Sequence, residues 1–296
     1  VSTFTTGIFR TWYGLGELNT AAQLAGFLLL FVFILMALER ASRNRMQFHA
    51  TSTRSRIRRA PLRGANAGLA TGFCLLIATL GFLLPALQLL SWASTSWRTA
   101  LDGQFLHLLW NSLSLALIAS LICLLLALFL GYGKRRYPGA MQTGAVRIAA
   151  MGYAVPGTVI AVGVLIPFGA LDNQLDALSQ TLFGVSTGLL LSGTLVALIF
   201  AYVVRFLSVS LQTVESGLSR IKPSLDEAAR SLGSSNERVL RDIHLPLLRG
   251  SLLTALLLVF VDVLKELPTT LILRPFNFNT LAVRTFELAS DERLAD

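Results

Sequence analysis

Charged side chains are scarce in this chain of 296 residues. Asp, Glu, Lys and Arg make up only 14% of it, whereas hydrophobic residues make up 54%, and the mean hydropathy is +0.65. A typical soluble domain carries about 25% charged residues. The scarcity of charge therefore excludes an ordinary soluble domain and predicts a membrane protein.

Short segments of alternating polarity, which would indicate a membrane β-barrel, are also missing. The apolar residues come instead in long blocks, and a helix needs roughly 20 such residues to cross a bilayer. Six blocks reach that length, at about residues 20–38, 67–91, 109–131, 146–169, 186–207 and 249–273. The sequence thus predicts an all-α polytopic membrane protein with six spans.

Acidic residues are missing from the most basic stretch of the chain. Eight arginines and no acid lie between Arg40 and Arg63, whereas residues 170–185 contain Asp172 and Asp176 but no Lys or Arg. Because basic residues beside spans stay on the cytoplasmic side, the first stretch is expected inside and the second outside. The net charge of +9 then reflects topology, and no nucleic-acid partner is expected.

Residues suited to catalysis or metal binding are few. The three histidines, His49, His107 and His244, fall in different loops or span ends, so each is expected at an interface or in solvent. Cys74 and Cys123 fall within apolar spans and are expected to be small buried residues. The sequence contains no phosphate-binding loop of the form Gly-x-x-x-x-Gly-Lys-Ser/Thr. We therefore predict no enzyme activity, no metal site and no bound cofactor for this chain.

The segment between the last two apolar blocks contains two helix signals. Ser224 and Glu227 have the capping-box spacing just after Pro223, and Gly233 is placed to end the helix. Its apolar face would consist of Leu225, Ala228, Ala229 and Leu232.

A second short helix is predicted directly after the first. Ser234 and Glu237 repeat the capping-box spacing, and the helix should run through Ile243 until Pro246 interrupts it. The pair would form a helix-turn-helix elbow outside the bilayer, on the cytoplasmic side. If Glu227 only capped a helix and Gly233 only ended it, the elbow would have a structural role alone.

The elbow resembles the EAA loop of bacterial type I ABC importer permeases. The loop spans about 208–248, and the resemblance is carried by Glu227, Ala228, Ala229, Gly233, Ile243, Leu245 and Pro246. In that family the first short helix docks in a groove of the ATPase and carries its closure to the membrane domain. The resemblance implies a transport subunit in the inner membrane. Its partners would be a separate ATPase, which uses ATP and Mg, and a periplasmic binding protein, which delivers the substrate.

Two further strings resemble ferric iron importer permeases. They read Tyr-Ala-Val-Pro-Gly from Tyr153 and Asp-Val-Leu-Lys-Glu-Leu-Pro from Asp262, and both are shared in part with thiamine-type permeases. The resemblance covers essentially the whole chain and implies ferric iron as the substrate, with thiamine or another small solute as the alternative. A secondary transporter without an ATPase is a further alternative, and only the elbow argues against it.

Two predicted spans contain candidates for a translocation pathway or gate. Pro156 and Gly157 would break the span at 146–169, and a membrane tolerates such breaks only against protein or water. Asp262, Lys265 and Glu266 would share one face of the last span, where Lys265 could pair with either acid. A packing kink and a structural ion-pair network are the alternatives. Iron binding by the two acids is disfavoured, because Lys265 supplies competing positive charge.

The two ends of the chain share a pattern. Phe4-x-Thr6-x-x-x-Arg10-Thr11-Trp12 is echoed at a constant offset by Phe278-x-Thr280-x-x-x-Arg284-Thr285-Phe286. Unless the echo is a coincidence, it indicates a protein fused from two homologous halves. Residues 1–39 would then be the last outer loop and final helix of the first half, and residues 40–66 a basic cytoplasmic linker. Residues 67–296 would be the second transmembrane domain, lacking its final helix.

Overall fold

A computed structural model of the chain describes residues 3–44, 62–100 and 103–291. Its first helices are α1 (Phe4–Tyr13), α2 (Leu18–Asn44), α3 (Ala65–Ala78), α4 (Leu84–Ala100), α5 (Gly103–Arg136), α6 (Ala140–Ala149) and α7 (Gly157–Phe183). The later ones are α8 (Leu195–Ser219), α9 (Pro223–Ser231), α10 (Asn236–Val239), α11 (Leu245–Leu264), α12 (Pro268–Leu273) and α13 (Leu281–Ser290). No β-strand occurs among the described residues, so the all-α prediction is confirmed.

Six helical segments within the described ranges are long and apolar enough to cross a membrane. They are Thr20–Leu38, Ala65–Ser96, Gly103–Arg136, Gly157–Phe183, Leu195–Ser219 and Asn236–Leu264. The number of spans agrees with the prediction, whereas three of their positions do not.

The predicted fourth span over 146–169 was wrong in its bounds. The chain forms α6, then a 3-10 turn at Gly152–Ala154, and only then α7, whose N-cap is Pro156. Proline has no backbone N–H to leave unpaired and disfavours a helical residue before it, which suits a helix start. Helix α7 then continues to Phe183, through most of the predicted outer loop at 170–185. The fifth span is displaced in the same direction and begins at Leu195 rather than at 186.

The predicted last span over 249–273 also differs from the structure. Its helix begins at Asn236, widens into a π turn at Leu240–His244 and ends at Leu264, before the short α12. Pro246 was expected to interrupt a helix, but it lies in the first turn of α11, directly after the π turn. The N–H of Leu245 reaches the carbonyl of Leu240 across this wider turn, and the altered register accommodates the proline.

The chain divides into two compact units, of which the first comprises residues 1–36 and 108–285. Helix α8 is central in this unit, because α7 and α11 both pack against it, and α12 packs on α7. Ala119, Ala201 and Ala255 are fully buried in the two main apolar clusters of the unit. Such small residues let helix backbones approach closely, as they commonly do between membrane helices.

The second unit comprises residues 37–107 and 286–296. Helices α3 and α4 are joined in it by a π turn at Thr79–Leu83. The hydrophobic window of Ala65–Ser96 contains no buried residue. Cys74 in α3 is exposed, contrary to prediction, whereas Cys123 in α5 is buried as expected. Most of the predicted linker at 40–66, together with His49, lies outside the described residues.

The echoed pattern at the two chain ends has only partly matching structure. Arg10 and Thr11 lie in α1, and their counterparts Arg284 and Thr285 lie in α13. Phe4 and Thr6 are helical as well, but the equivalent positions 278 and 280 precede α13. The fusion of two halves therefore stays a prediction.

Candidate functional site

The first helix of the elbow, α9, starts earlier than its predicted capping box. Lys222 is the N-cap and makes no side-chain capping bond, and Pro223 occupies the first helical turn. The capping role predicted for Ser224 and Glu227 was therefore wrong. Proline supplies the start signal by itself, since the first helical N–H groups have no partner within the helix.

Gly233 ends α9 as predicted. Its φ is 82°, in the left-handed region that favours glycine. The following N–H, of Ser234, donates to the carbonyl of Ala229 at 3.0 Å and satisfies the end of the helix. The second predicted capping box was displaced by one residue, because Ser235, not Ser234, accepts from the N–H of Arg238 at 3.3 Å.

Helix α9 presents most of its surface outward. Ala229 is its only buried residue, while Glu227 and Ala228 are exposed. Two leucines of the predicted apolar face are exposed as well, Leu225 to 43% and Leu232, just past the helix, to 87%. Of the other residues in the resemblance, Ile243 and Leu245 are half-buried and Pro246 is exposed. The exposed leucines and the Glu227 carboxylate are thus available to a partner protein.

Asp226 ties α9 to the rest of the unit. Its Oδ2 accepts from Nε of Arg135 at 2.9 Å, and its Oδ1 lies 2.8 Å from Nε2 of His244. Burial alone would raise the pKa of Asp226, but hydrogen bonds from Arg135 and His244 and their charges outweigh it, so this pKa lies below its usual value. Because His244 is fully buried, its predicted interfacial or solvent-facing position was wrong.

The end of α5 forms the other side of this cluster. Arg135 also donates to the carbonyls of Leu218 and Ile221, at 2.6 and 2.9 Å, and so satisfies the end of α8. The Tyr132 hydroxyl donates to the carbonyl of Asn236 at 3.0 Å, and its ring lies edge-on to His244. From sequence alone, the basic end of α5 was predicted only to lie on the cytoplasmic side. The one clue to the partner of Arg135 was Asp226, the acid directly before Glu227.

A second cluster lies where α7 begins and α11 has ended. Glu266 accepts from the Thr269 hydroxyl at 2.7 Å and forms an ion pair with Nε of Arg205 at 3.5 Å. This Nε makes no hydrogen bond. Glu266 is only 7% exposed. A Cβ on Gly157 would lie 2.5 Å from an atom of each of these three side chains. Any larger residue would have to displace these side chains where the helix start meets the ion pair.

Lys265 does not belong to this cluster. It pairs with Asp262 at 2.8 Å, and its side chain is 68% exposed. The common helical face predicted for Asp262, Lys265 and Glu266 was wrong, because α11 ends at Leu264 and turns Glu266 toward Arg205. Within the described ranges, no three His, Cys, Asp or Glu side chains form a metal-binding group.

Two cavities lie in the first unit, one near the start of α11 and the other beside α12. A groove of about 920 Å³ runs between α8 and α11, and its polar lining includes Gln212, Thr213, Ser216, Ser251 and Thr254. A cavity of about 680 Å³ lies beside α12 and is lined by Asn173, Ser192 and Leu271 among others. Polar lining on apolar helices favours water or protein as the neighbour, not lipid.

Comparison with known proteins matches the part of the chain that contains both clusters. The family described as "Binding-protein-dependent transport system inner membrane component" matches residues 124–284. The Fe(3+)-transport system permease protein FbpB 2 of Haemophilus influenzae is 27% identical over 99% of this chain, which spans about half (56%) of that relative's length. The putative 2-aminoethylphosphonate transport system permease protein PhnV of Salmonella typhimurium is 28% identical, over 73% of this chain and 80% of its own length. The ferric transport system permease protein FbpB of Actinobacillus pleuropneumoniae is 33% identical over 37% of this chain and 14% of its own length.

Proposed function

Because this chain belongs to the family of binding-protein-dependent transport system inner membrane components, we propose that it forms part of the membrane path of an ATP-driven importer. The six apolar helices among the described residues, together with the family, make it a multi-pass inner membrane protein. The substrate would arrive from a periplasmic binding protein, and a separate ATPase would use ATP and Mg. The observation that carries the proposal is the exposed elbow, whose first helix is α9.

The docking surface for the ATPase would be the outward side of α9. Glu227 and Ala228 are exposed on it beside Leu225. Ala229 anchors the helix from below, and Gly233 permits the turn into the second helix. Ile243, Leu245 and Pro246 lie around the π turn that leads into α11. A partner that presses on α9 would therefore act close to the start of a membrane helix.

The pathway or gate would lie at the second cluster. Pro156 and Gly157 start α7 directly against Glu266, which has Arg205 as its counter-ion. Charges within a membrane are costly unless paired, and they commonly mark transport routes. Asp262 and Lys265 form a separate ion pair at the end of α11. A movement of the start of α7 relative to the end of α11 would separate or reorient the Arg205–Glu266 pair.

Ferric iron is the substrate that we propose first. The H. influenzae relative named for Fe(3+) transport aligns with nearly the whole chain. A second candidate is a phosphonate such as 2-aminoethylphosphonate, because the Salmonella relative named for it aligns over 80% of its own length. Thiamine, the alternative from the sequence, has no such relative among these three. We also propose that this chain works with a homologous first half of the same protein.

Uptake into vesicles tests both coupling and substrate. The vesicles would contain the full-length parent protein, its binding protein and its ATPase, and iron, 2-aminoethylphosphonate and thiamine would be offered in turn. Gly233→Asp should abolish ATP-dependent uptake while the protein remains in the membrane. Uptake of only an organic solute would overturn iron as the substrate, and uptake without ATP would overturn the importer.

A further inference from the structure

The carboxylate of Asp226 joins α9, the first helix of the elbow, to the membrane helices of the first unit. We propose that Asp226 is a positioning residue, which transmits the movement of α9 to α5 and to the helix Asn236–Leu264. This inference rests on the proposed function, because it presumes that an ATPase moves α9.

The two oxygens of Asp226 hold two different helices. Oδ2 accepts from Arg135 at the end of α5, and Oδ1 accepts from His244 at the end of the π turn. A carboxylate can only accept, so Nε2 of His244 carries the proton that faces it. Both side chains of the Arg135 pair are less than one-fifth exposed, and limited access of water strengthens such bonds.

Little else attaches the inner side of α9. Ala229 is its only buried residue, and a methyl group offers a small contact area. Glu227, the neighbouring acid, is exposed and lies on the side that we assign to the ATPase. The bonds of Asp226 therefore restrain α9 more than its apolar packing does.

The far end of this connection is the second cluster. His244 immediately precedes α11, and α11 ends at Leu264, two residues before Glu266. A displacement of α9 that pulls on His244 thus acts on the helix that leads to the Arg205–Glu266 pair. Arg135 opposes free rotation of α9, because it is itself bonded to the carbonyls that end α8.

A cysteine reporter tests transmission without any substrate. In the full-length parent protein, assembled with its ATPase in liposomes, Leu271→Cys would place a thiol beside the cavity next to α12, and all other cysteines would be replaced by serine. The measurement is the rate of maleimide labelling with and without ATP and vanadate. Asp226→Ala should reduce the ATP-dependent change in rate by about tenfold, the effect expected when a charge-assisted hydrogen bond is lost. The amount of bound ATPase should stay unchanged.

Asp242→Ala is the matched control, because Asp242 lies in the same π turn and is exposed. It should keep the full ATP-dependent change, and His244→Gln, which retains a donor, should keep more of it than His244→Ala. A full response in Asp226→Ala, or an equal loss in Asp242→Ala, would overturn the inference. Release of the ATPase from Asp226→Ala would also overturn it, because Asp226 would then support docking. No ATP-dependent change in the reporter protein without further substitutions would contradict the proposed importer itself.

Discussion

Gly157 offers a direct test of the second cluster, through the substitution Gly157→Ala. The added methyl group would lie 2.5 Å from Nη1 of Arg205, Oε1 of Glu266 and Oγ1 of Thr269. Favourable contacts between such atoms lie near 3.5 Å, so each must retreat by about 1 Å. The retreat would separate the groups that now satisfy the Glu266 carboxylate.

The expected cost has two parts. Overpacking a tight site typically costs about 1–3 kcal/mol. Weakening a hydrogen bond to a buried charge, here the 2.7 Å bond from Thr269 to Glu266, adds about 1.5–3 kcal/mol. Together they should lower the apparent Tm by roughly 5 °C, because the shift per kcal/mol falls with chain length to about 1–2 °C in a protein this long.

The assay is thermal denaturation of the full-length parent protein in detergent, followed by the loss of monodisperse protein. Gly163→Ala is the matched control, because it lies in the same helix and a Cβ there would meet no atom within 4 Å. That control should leave Tm unchanged or raise it slightly, since alanine favours the helix by up to about 1 kcal/mol. Equal Tm values for Gly157→Ala and Gly163→Ala would refute the close contact at the start of α7.

Three further predictions concern the elbow and the ion pair. Gly233→Ala should cost about 1–2 kcal/mol, because its φ of 82° is unfavourable for alanine; proteolysis at the elbow should become faster than in Gly250→Ala, and equal rates would contradict this. Arg205→Met should cost about 3–5 kcal/mol by leaving Glu266 unpaired, while adding Glu266→Gln should recover part of the loss; additive shifts in Tm would argue against the pair. The lowered pKa of Asp226 implies that its stabilisation is complete above the usual carboxyl range and is lost as pH falls through the lowered pKa. Asp226→Asn should therefore make proteolysis at the elbow less sensitive to acid, and an unchanged pH profile would exclude this role.

The class of the fold and the glycine that ends α9 could be predicted from sequence. Long apolar blocks require membrane helices, whatever their packing, which is why the number of spans was correct. Gly233 was equally predictable, because few other residues adopt its backbone conformation at low cost. These features depend on local sequence alone.

Polar residues with distant partners caused the errors in span position. Asp172 was assigned to an outer loop because it follows the apolar block at 146–169, in a stretch without Lys or Arg. In the structure it lies within α7, where it accepts from the N–H groups of Leu190, Leu191 and Ser192 and from the Ser192 hydroxyl. A hydropathy scale includes the charge of Asp172 but not the hydrogen bonds that compensate for its burial.

The two clusters were hidden for the same reason. Asp226 and Arg135 are 91 residues apart, and no local spacing connects them. Lys265 was expected to pair with either Asp262 or Glu266, and it pairs with Asp262. The counter-ion of Glu266 is Arg205, which comes from a different helix. Only the end of α11 at Leu264, which the apolar pattern does not show, turns Glu266 away from its neighbour.

The uninterrupted helix from Asn236 to Leu264 fixes both distance and direction between the two clusters. Each residue of an α-helix advances it by about 1.5 Å and rotates it by about 100°. One residue inserted after Pro246 would therefore swing the far end by more than a quarter turn, away from Arg205. Seven inserted residues would nearly restore the direction but lengthen the helix by about 10 Å. This stretch should consequently tolerate changes of side chain far better than changes of length.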